Sequence, residues 1–433
     1  MKRVSLAAVF VISACLSPSA APAEEQELPK NPVLVWNDLA LQAVRATSAS
    51  DAAAARAYAM LNVAVYDAVN GIDSANSLFG RGHALVPPNG APRHGSRYAA
   101  AAAAADAVLR VVFPAQAPGF DAELAAELAA LGNSSRVTTG RAWGTEVGQQ
   151  VVAARQDDGS TPVEVQPGGT APGEFRANWS GAQFRRLLPF GIQDPSRYVT
   201  SGPPPLTSPE YAAGFAEVQV IGNAAIPDAD ALATFQFWNS AAGTSQPPGE
   251  WIKVATIVTN AQLLRFSLSG TARLFALLGM ALSDVVGPTF ETKFRYHHWR
   301  PATAIREAES DDNPWTTADP TWAPRAGGIG GSPEHTSGHS SFAGAGTTVL
   351  AGFFCKDAIP FDLASDSTPN VPRHYDSFSA AEFEAGRSRV LGGIHFEFSN
   401  RAGILAGRGV AQEILGNKLL RSFGPTHLGA CPL

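Results

Sequence analysis

The segment Lys293-Phe294-Arg295-Tyr296-His297-His298-Trp299-Arg300-Pro301 sets two basic side chains seven residues apart and closes on a proline. Seven residues are about two helical turns, so Lys293 and Arg300 face the same way while the segment stays helical. Pro301 disfavours helical geometry at Arg300 and so puts the basic pair at a helix end. Taken alone, such a pair is more readily a solvated basic face.

Two further segments change that reading. Ser337-Gly338-His339 precedes the apolar stretch Phe342 to Phe354 and so lies at a helix start. Free amides and the positive end of the helix dipole suit an anion there, although Ser337 by itself would be a cap. In the third segment, Ser388-Arg389 is followed by His395. Arg389 and His395 would lie on different faces of an unbroken helix, but Gly392-Gly393 lets the chain turn so that they converge. Without that break, His395 is a partly buried helix residue with one hydrogen bond. Together, Lys293, Arg300, Arg389, the Ser337 hydroxyl and the Gly338 amide can surround a tetrahedral oxyanion. His339 and His395 are left for chemistry. Three fixed cations offset a dianion that would be costly to bury alone, and an imidazole exchanges protons near neutral pH.

The rest of the chain predicts helices. Of its 433 residues 45% are apolar, and a formal net charge of −6 with no Lys/Arg run excludes nucleic acid as the main partner. Abundant alanine and glycine with few β-branched runs point to an all-α fold of closely packed helices. A helix starts at Asp51, which can cap it, carries Ala54, Tyr58, Leu61, Val65 and Ala68 on one face, and ends at Asn70-Gly71. Others are expected over Ser96–Phe113, Asp121–Leu131, Thr139–Arg155, Ser208–Ile221, Asp228–Asn239, Trp251–Phe266 and Thr271–Val286. Two irregular stretches, Asp157 to Pro209 and Asp311 to Thr336, interrupt them; such excursions usually cover a site or an interface. One domain is expected over residues 24–433, with an N-terminal helical part at about 31–156 and an oxyanion-binding part at about 208–433.

The N-terminus reads as a targeting segment. Lys2 and Arg3, apolar Val4 to Leu16, and Ala21-Pro22-Ala23 describe a secretory signal over residues 1–23, for export to the periplasm or beyond. The alternative is a lipoprotein box, Ile12-Ser13-Ala14-Cys15, with a lipidated Cys15 as membrane anchor. No other run is expected to cross a bilayer. Once Cys15 is removed, Cys355 and Cys431 can form one disulfide, or Cys355 is a buried apolar residue.

The order Lys-x6-Arg-Pro, Ser-Gly-His, Ser-Arg-x5-His resembles the signature of the vanadium-dependent haloperoxidase and type 2 phosphatidic-acid phosphatase superfamily. Lys293, Arg300, Pro301, Ser337, Gly338, His339, Ser388, Arg389 and His395 carry it. Ala57 to Asn70 and Trp299 to Ile305 also resemble bacterial secreted haloperoxidase-like proteins. The resemblance implies helical bundles with the anion held at the bundle ends. Lys293, Arg300 and Arg389 would neutralise vanadate oxygens, with Ser337 and Gly338 adding hydrogen bonds. His395 would bond vanadium, His339 would be the acid–base group, and Lys293 would polarise peroxide for attack by halide. The same residues serve a phosphatase, in which phosphate replaces vanadate, His395 attacks phosphorus and His339 protonates the leaving alcohol of a phosphate monoester. A non-catalytic periplasmic oxyanion binder is the third reading.

Three positions depart from the family pattern. Thr336 stands where a proline is usual. Ser399 stands where an acid commonly helps to orient the last histidine, with Asp284 and Glu397 as candidate substitutes. Ser332 stands where many haloperoxidases carry an aromatic ring or histidine near the halide. His335, His297, His298 and Trp299 are either neighbours of that position or packing residues.

Overall fold

Short polar residues start most of the helices. Asn31, Ser50, Ser96, Ser134, Ser208, Asp228, Ser267, Ser337 and Ser377 each turn a side-chain oxygen onto a first-turn amide. The helix itself cannot satisfy those donors. A computed structural model describes residues 30–77, 82–261 and 267–420. The secretory segment 1–23, Cys15 and Cys431 lie outside the described residues.

Five helices form the N-terminal part: α1 (Pro32–Thr47), α2 (Asp51–Ala75), α3 (Arg97–Val112), α4 (Ala117–Leu131) and α5 (Ser135–Ala154). An irregular excursion comes next, holding the short pair β1 (Val165–Gln166) and β2 (Trp179–Ser180). Beyond it lie α6 (Pro209–Ile221), α7 (Ala229–Phe237), α8 (Gln246–Ala261), α9 (Leu268–Asp284), α10 (Val286–Tyr296) and α11 (Pro301–Arg306). After a second irregular stretch, α12 (Gly338–Phe354), the hairpin β3 (Phe361–Ser365) and β4 (Thr368–Tyr375), α13 (Phe378–Leu391) and α14 (Glu397–Asn417) complete the chain. The fold is all-α, as expected, with two small antiparallel additions.

Several boundaries differ from expectation. Ser50, not Asp51, caps α2, and Asp51 sits in its first turn. The helix runs through Asn70-Gly71 to Ala75, and Gly71 serves a close contact rather than a helix end: a Cβ there would lie 2.6 Å from the Trp143 indole. The span Leu268–Tyr296 is apolar and long enough to cross a bilayer, contrary to the expectation that no such run exists. Its most apolar window is 94% buried inside the protein, which makes it a core element. Cys355 is disulfide-bonded.

Small residues let the helices approach closely. Gly140, Gly144 and Gly148 of α5 face the backbone of Ser96, Ala100 and Ala104. In the same way Gly344 of α12 meets Ile404 of α14, and Gly403 and Gly407 of α14 meet Ser337 and Ser341. The main buried cluster runs from Val33 to Leu419, and a smaller one joins Tyr211, Phe215, Trp299, Trp322 and Phe396. The α12–α14 contact bears most directly on function, because Ser337 opens α12 and His395 lies just ahead of α14.

The long excursion is tied down by two buried charges. The Asp284 carboxylate accepts the amides of Phe190, Gly191 and Ile192 at 2.7, 2.6 and 3.0 Å. Arg155 donates to the carbonyls of Leu188 and Pro189 and lies over the Phe190 ring. Asp284 therefore holds a loop and does not orient His395, which corrects one of the proposed substitutions. Burial pushes its carboxyl up to about 6.

Candidate oxyanion site

Local breaks in helical geometry bring the three basic segments together. Lys293 occupies the last turn of α10, which stops where His297 turns left-handed at φ 44°. Arg300 is extended (φ −82°, ψ 157°) ahead of Pro301, so the pair does not share one continuous helix. A non-helical link, His297 to Arg300, separates α10 from α11 instead. Gly392 caps α13 and Gly393 takes φ +73°, after which the amides of Ile394 and His395 return to the Arg389 carbonyl. That reversal places His395 beside Arg389, as the glycine pair predicts. Ser337 is the N-cap of α12, leaving Gly338 among the first amides without an intrahelical acceptor.

Lys293, Arg300, Arg389 and His395 are all buried, as is Ser337. Arg300 donates through Nη1 to His395 Nε2 at 3.0 Å and to the Ile394 carbonyl at 2.7 Å. Its Nε and Nη2 reach the Ser332 carbonyl and hydroxyl at 2.8 and 3.3 Å. Lys293 Nζ donates to the carbonyls of Pro333 and Glu334 at 2.5 and 3.4 Å. Arg389 Nη1 donates to the Trp238 carbonyl at 3.1 Å, and its buried Nε has no protein partner. His339 Nε2 donates to the Asn239 carbonyl at 3.2 Å. The end of α7 thus supplies carbonyls to both Arg389 and His339, where the negative end of its dipole suits a cation.

Among the described residues, none of the three cations is ion-paired with a carboxylate. The carboxyl group of the cradle meets a neutral partner: His395 Nδ1 donates to Glu334 Oε1 at 2.9 Å. A carboxylate accepting at Nδ1 leaves the lone pair on Nε2, the nitrogen that Arg300 faces. Burial dominates every titration here. It pushes Arg300 down to about 10 and, with Arg300 adding to it, Arg389 down to about 9. Burial and the Arg300 charge hold Lys293 well below the usual lysine range. His395 and His339 are held well below ordinary histidine, by burial first and then by the neighbouring cations, so both rings are neutral at pH 7. Burial raises Glu334 to about 7.

This donor set suits an oxyanion. Cations, a helix-start amide and one neutral nitrogen converge, and the Arg389 Nε donor is left over. Gly338 leaves the mouth open, since a Cβ there would have only Asp51 Oδ2 nearby, at 3.6 Å. Gly330 covers Arg300, where a Cβ would fall 2.7 Å from Cζ. Among the described residues no group of three or more His, Cys, Asp or Glu is arranged to hold a metal cation.

Comparison with known proteins points the same way. Residues 273–420 match the VCPO second helical-bundle domain. The structure of a bacterial vanadium-dependent iodoperoxidase superposes with a TM-score of 0.73 at 21% identity, covering 90% of this chain and 98% of that one. A bacterial vanadium-dependent chloroperoxidase in its holo form gives 0.65 at 15% identity, over 86% and 96% of the two chains. The apo form of such a chloroperoxidase gives 0.63 at 17%, over 82% and 91%. No curated protein matches by sequence.

The chain has the vanadium haloperoxidase fold. Within that fold, each of the basic motif residues read from the sequence reaches the cradle, together with partners that no motif signals. Glu334, Ser332, Trp238 and Asn239 are those partners; the last two act through backbone carbonyls, which leave no mark in a sequence. Glu397 is the other candidate for orienting His395, but its carboxylate binds Arg387, Asn400 and Arg401. Ser399 donates to the Glu334 carbonyl at 3.3 Å, and its own carbonyl accepts from Thr336 Oγ1 and the Ser337 amide. Thr336 thus anchors the loop where the family carries proline. Ser332 serves Arg300. His297 is bound to the Phe175 carbonyl, and His298, Trp299 and His335 are buried in aromatic packing, the plainer of their two readings. Burial pushes His298 and His335 down to about 3.

Proposed function

We propose that this cradle binds vanadate and that the chain is a haloperoxidase, oxidising halide with hydrogen peroxide. One observation carries the reading: three buried basic side chains, none ion-paired with a carboxylate among the described residues, lie around His395, whose Nε2 meets Arg300. Buried Glu334 and partly buried Asp51 are the acids that act on them, fewer than the basic groups, and an oxyanion would supply the remaining countercharge. Lys293, Arg300 and Arg389 would hold its oxygens, Ser337 and Gly338 would add hydrogen bonds, and His395 Nε2 would bond vanadium. Vanadate, when bound, supplies a Lewis-acid centre that activates peroxide without changing oxidation state. The partly exposed His339 keeps its proton on Nε2 against Asn239 and so accepts one from incoming peroxide at Nδ1. Lys293 would place its charge beside the oxygens of the bound anion and so favour attack by halide on peroxide. The likeness to an iodoperoxidase and chloroperoxidases supports this reading over the phosphatase.

Parallel assays test it. Purified protein reconstituted with orthovanadate is expected to iodinate or brominate a phenolic dye when peroxide and halide are supplied. No turnover with any halide would remove the proposal. Release of phosphate from an aryl phosphate by the vanadate-free protein, inhibited by vanadate, would establish the phosphatase in its place.

A further inference from the structure

We propose that Glu334 is the positioning residue of His395, an inference that rests on the vanadate reading above. The segment Ser332 to Thr336 holds three members of the cradle at once. Ser332 binds Arg300 through its carbonyl and hydroxyl, and the Pro333 and Glu334 carbonyls hold Lys293 Nζ. The Glu334 side chain takes the third. Its Oε1 accepts from His395 Nδ1 at 2.9 Å and from the Phe396 amide at 3.0 Å. Two bonds to successive residues fix both the plane of the imidazole and its tautomer. With Nδ1 donating, Nε2 keeps its lone pair toward the oxyanion.

The support comes from an unusual place. His395 opens the turn into α14, yet its carboxylate partner lies 61 residues earlier in the loop ahead of α12. Ser399, four residues after His395, is too short to reach the imidazole and instead pins the Glu334 backbone from below. Glu334 is itself fully buried, so its carboxylate has no exposed alternative partner. The loop that presents Ser337 to the anion therefore also aims the histidine. Glu334 touches no reacting atom, and it acts through His395.

The experiment compares wild type, Glu334→Gln and Glu334→Ala by two readouts. The first is the nitrogen-15 NMR spectrum of the His395 imidazole in vanadate-free protein, assigned by its loss in His395→Ala. Wild type is expected to show the Nδ1–H tautomer and Glu334→Ala to lose that preference. The second is affinity for orthovanadate and for inorganic phosphate. Vanadate, which needs the Nε2 bond, is expected to bind about 10- to 100-fold more weakly in Glu334→Ala. Phosphate, held by the cations alone, is expected to bind as well as before or better. Glu334→Gln keeps an acceptor for Nδ1–H and should fall between. An unchanged tautomer, or parallel loss of both anions in the isosteric Glu334→Gln, would overturn the role. If wild type itself bound no vanadate, the haloperoxidase reading would fail while the tautomer readout still decided the part played by Glu334.

Discussion

His395→Ala is expected to abolish turnover, by on the order of a thousand-fold or more, whichever chemistry the cradle performs. The reason lies in the composition of the site. His339 is assigned to proton transfer, the other groups of the cradle are basic side chains or hydrogen-bond donors, and His395 Nε2 is the lone pair that the Glu334 bond to Nδ1 leaves on the side of the anion site, beside Arg300. As a vanadium ligand or as a phosphorus nucleophile, it has no replacement within reach. Lys293, Arg300 and Arg389 remain in the variant, so phosphate should still bind, which separates lost chemistry from lost folding. Steady-state rates and phosphate titration of the same preparation check this. A variant that turns over at the wild-type rate would mean that the catalytic nitrogen has been misassigned.

Gly407→Ala is expected to lower stability by about 1–3 kcal/mol, with a weaker hold on the oxyanion. A Cβ at Gly407 would stand 2.1 Å from the Ser341 carbonyl and 2.6 Å from the Ala345 amide, so α14 must move away from α12. Both contacts are backbone atoms that cannot rotate aside. The displacement would reach the site, because Ser337 starts one of these helices and His395 leads into the other. Gly416 on the same helix provides the control. Nothing lies within 4 Å of its would-be Cβ, so Gly416→Ala should be neutral or stabilising, by roughly 0.5–1 kcal/mol. Thermal unfolding of the two variants beside wild type decides the matter; equal melting temperatures would show that the α12–α14 contact tolerates expansion.

Much of this arrangement is legible in the sequence because the signals are local. Ser337 and Gly392-Gly393 mark a helix start and a reversal, and the structure places both as read; Pro301 keeps Arg300 out of helical geometry, as read, but it opens α11, and α10 ends earlier at Tyr296. The features that escape such reading depend on contacts between distant parts of the chain. Gly71 has the same appearance as a terminating glycine, yet it lies inside α2, against Trp143 from another helix. The β3–β4 hairpin is hidden by Pro369 and Pro372, which break the strand pattern and are tolerated on an edge. Glu334 cannot be found from spacing, since nothing beside it indicates a histidine 61 residues away. Sequence position suggests an acid within α14 or at Asp284, and the loop ahead of Ser337 supplies it instead.

A cluster of buried basic groups, none ion-paired with a carboxylate among the described residues and built for one tetrahedral oxyanion, is the central claim. Calorimetric titration of wild-type protein with orthovanadate tests it most directly. One equivalent should bind per chain. The same titration of Lys293→Ala should show weaker binding. Absence of saturable binding by the wild type would contradict the account.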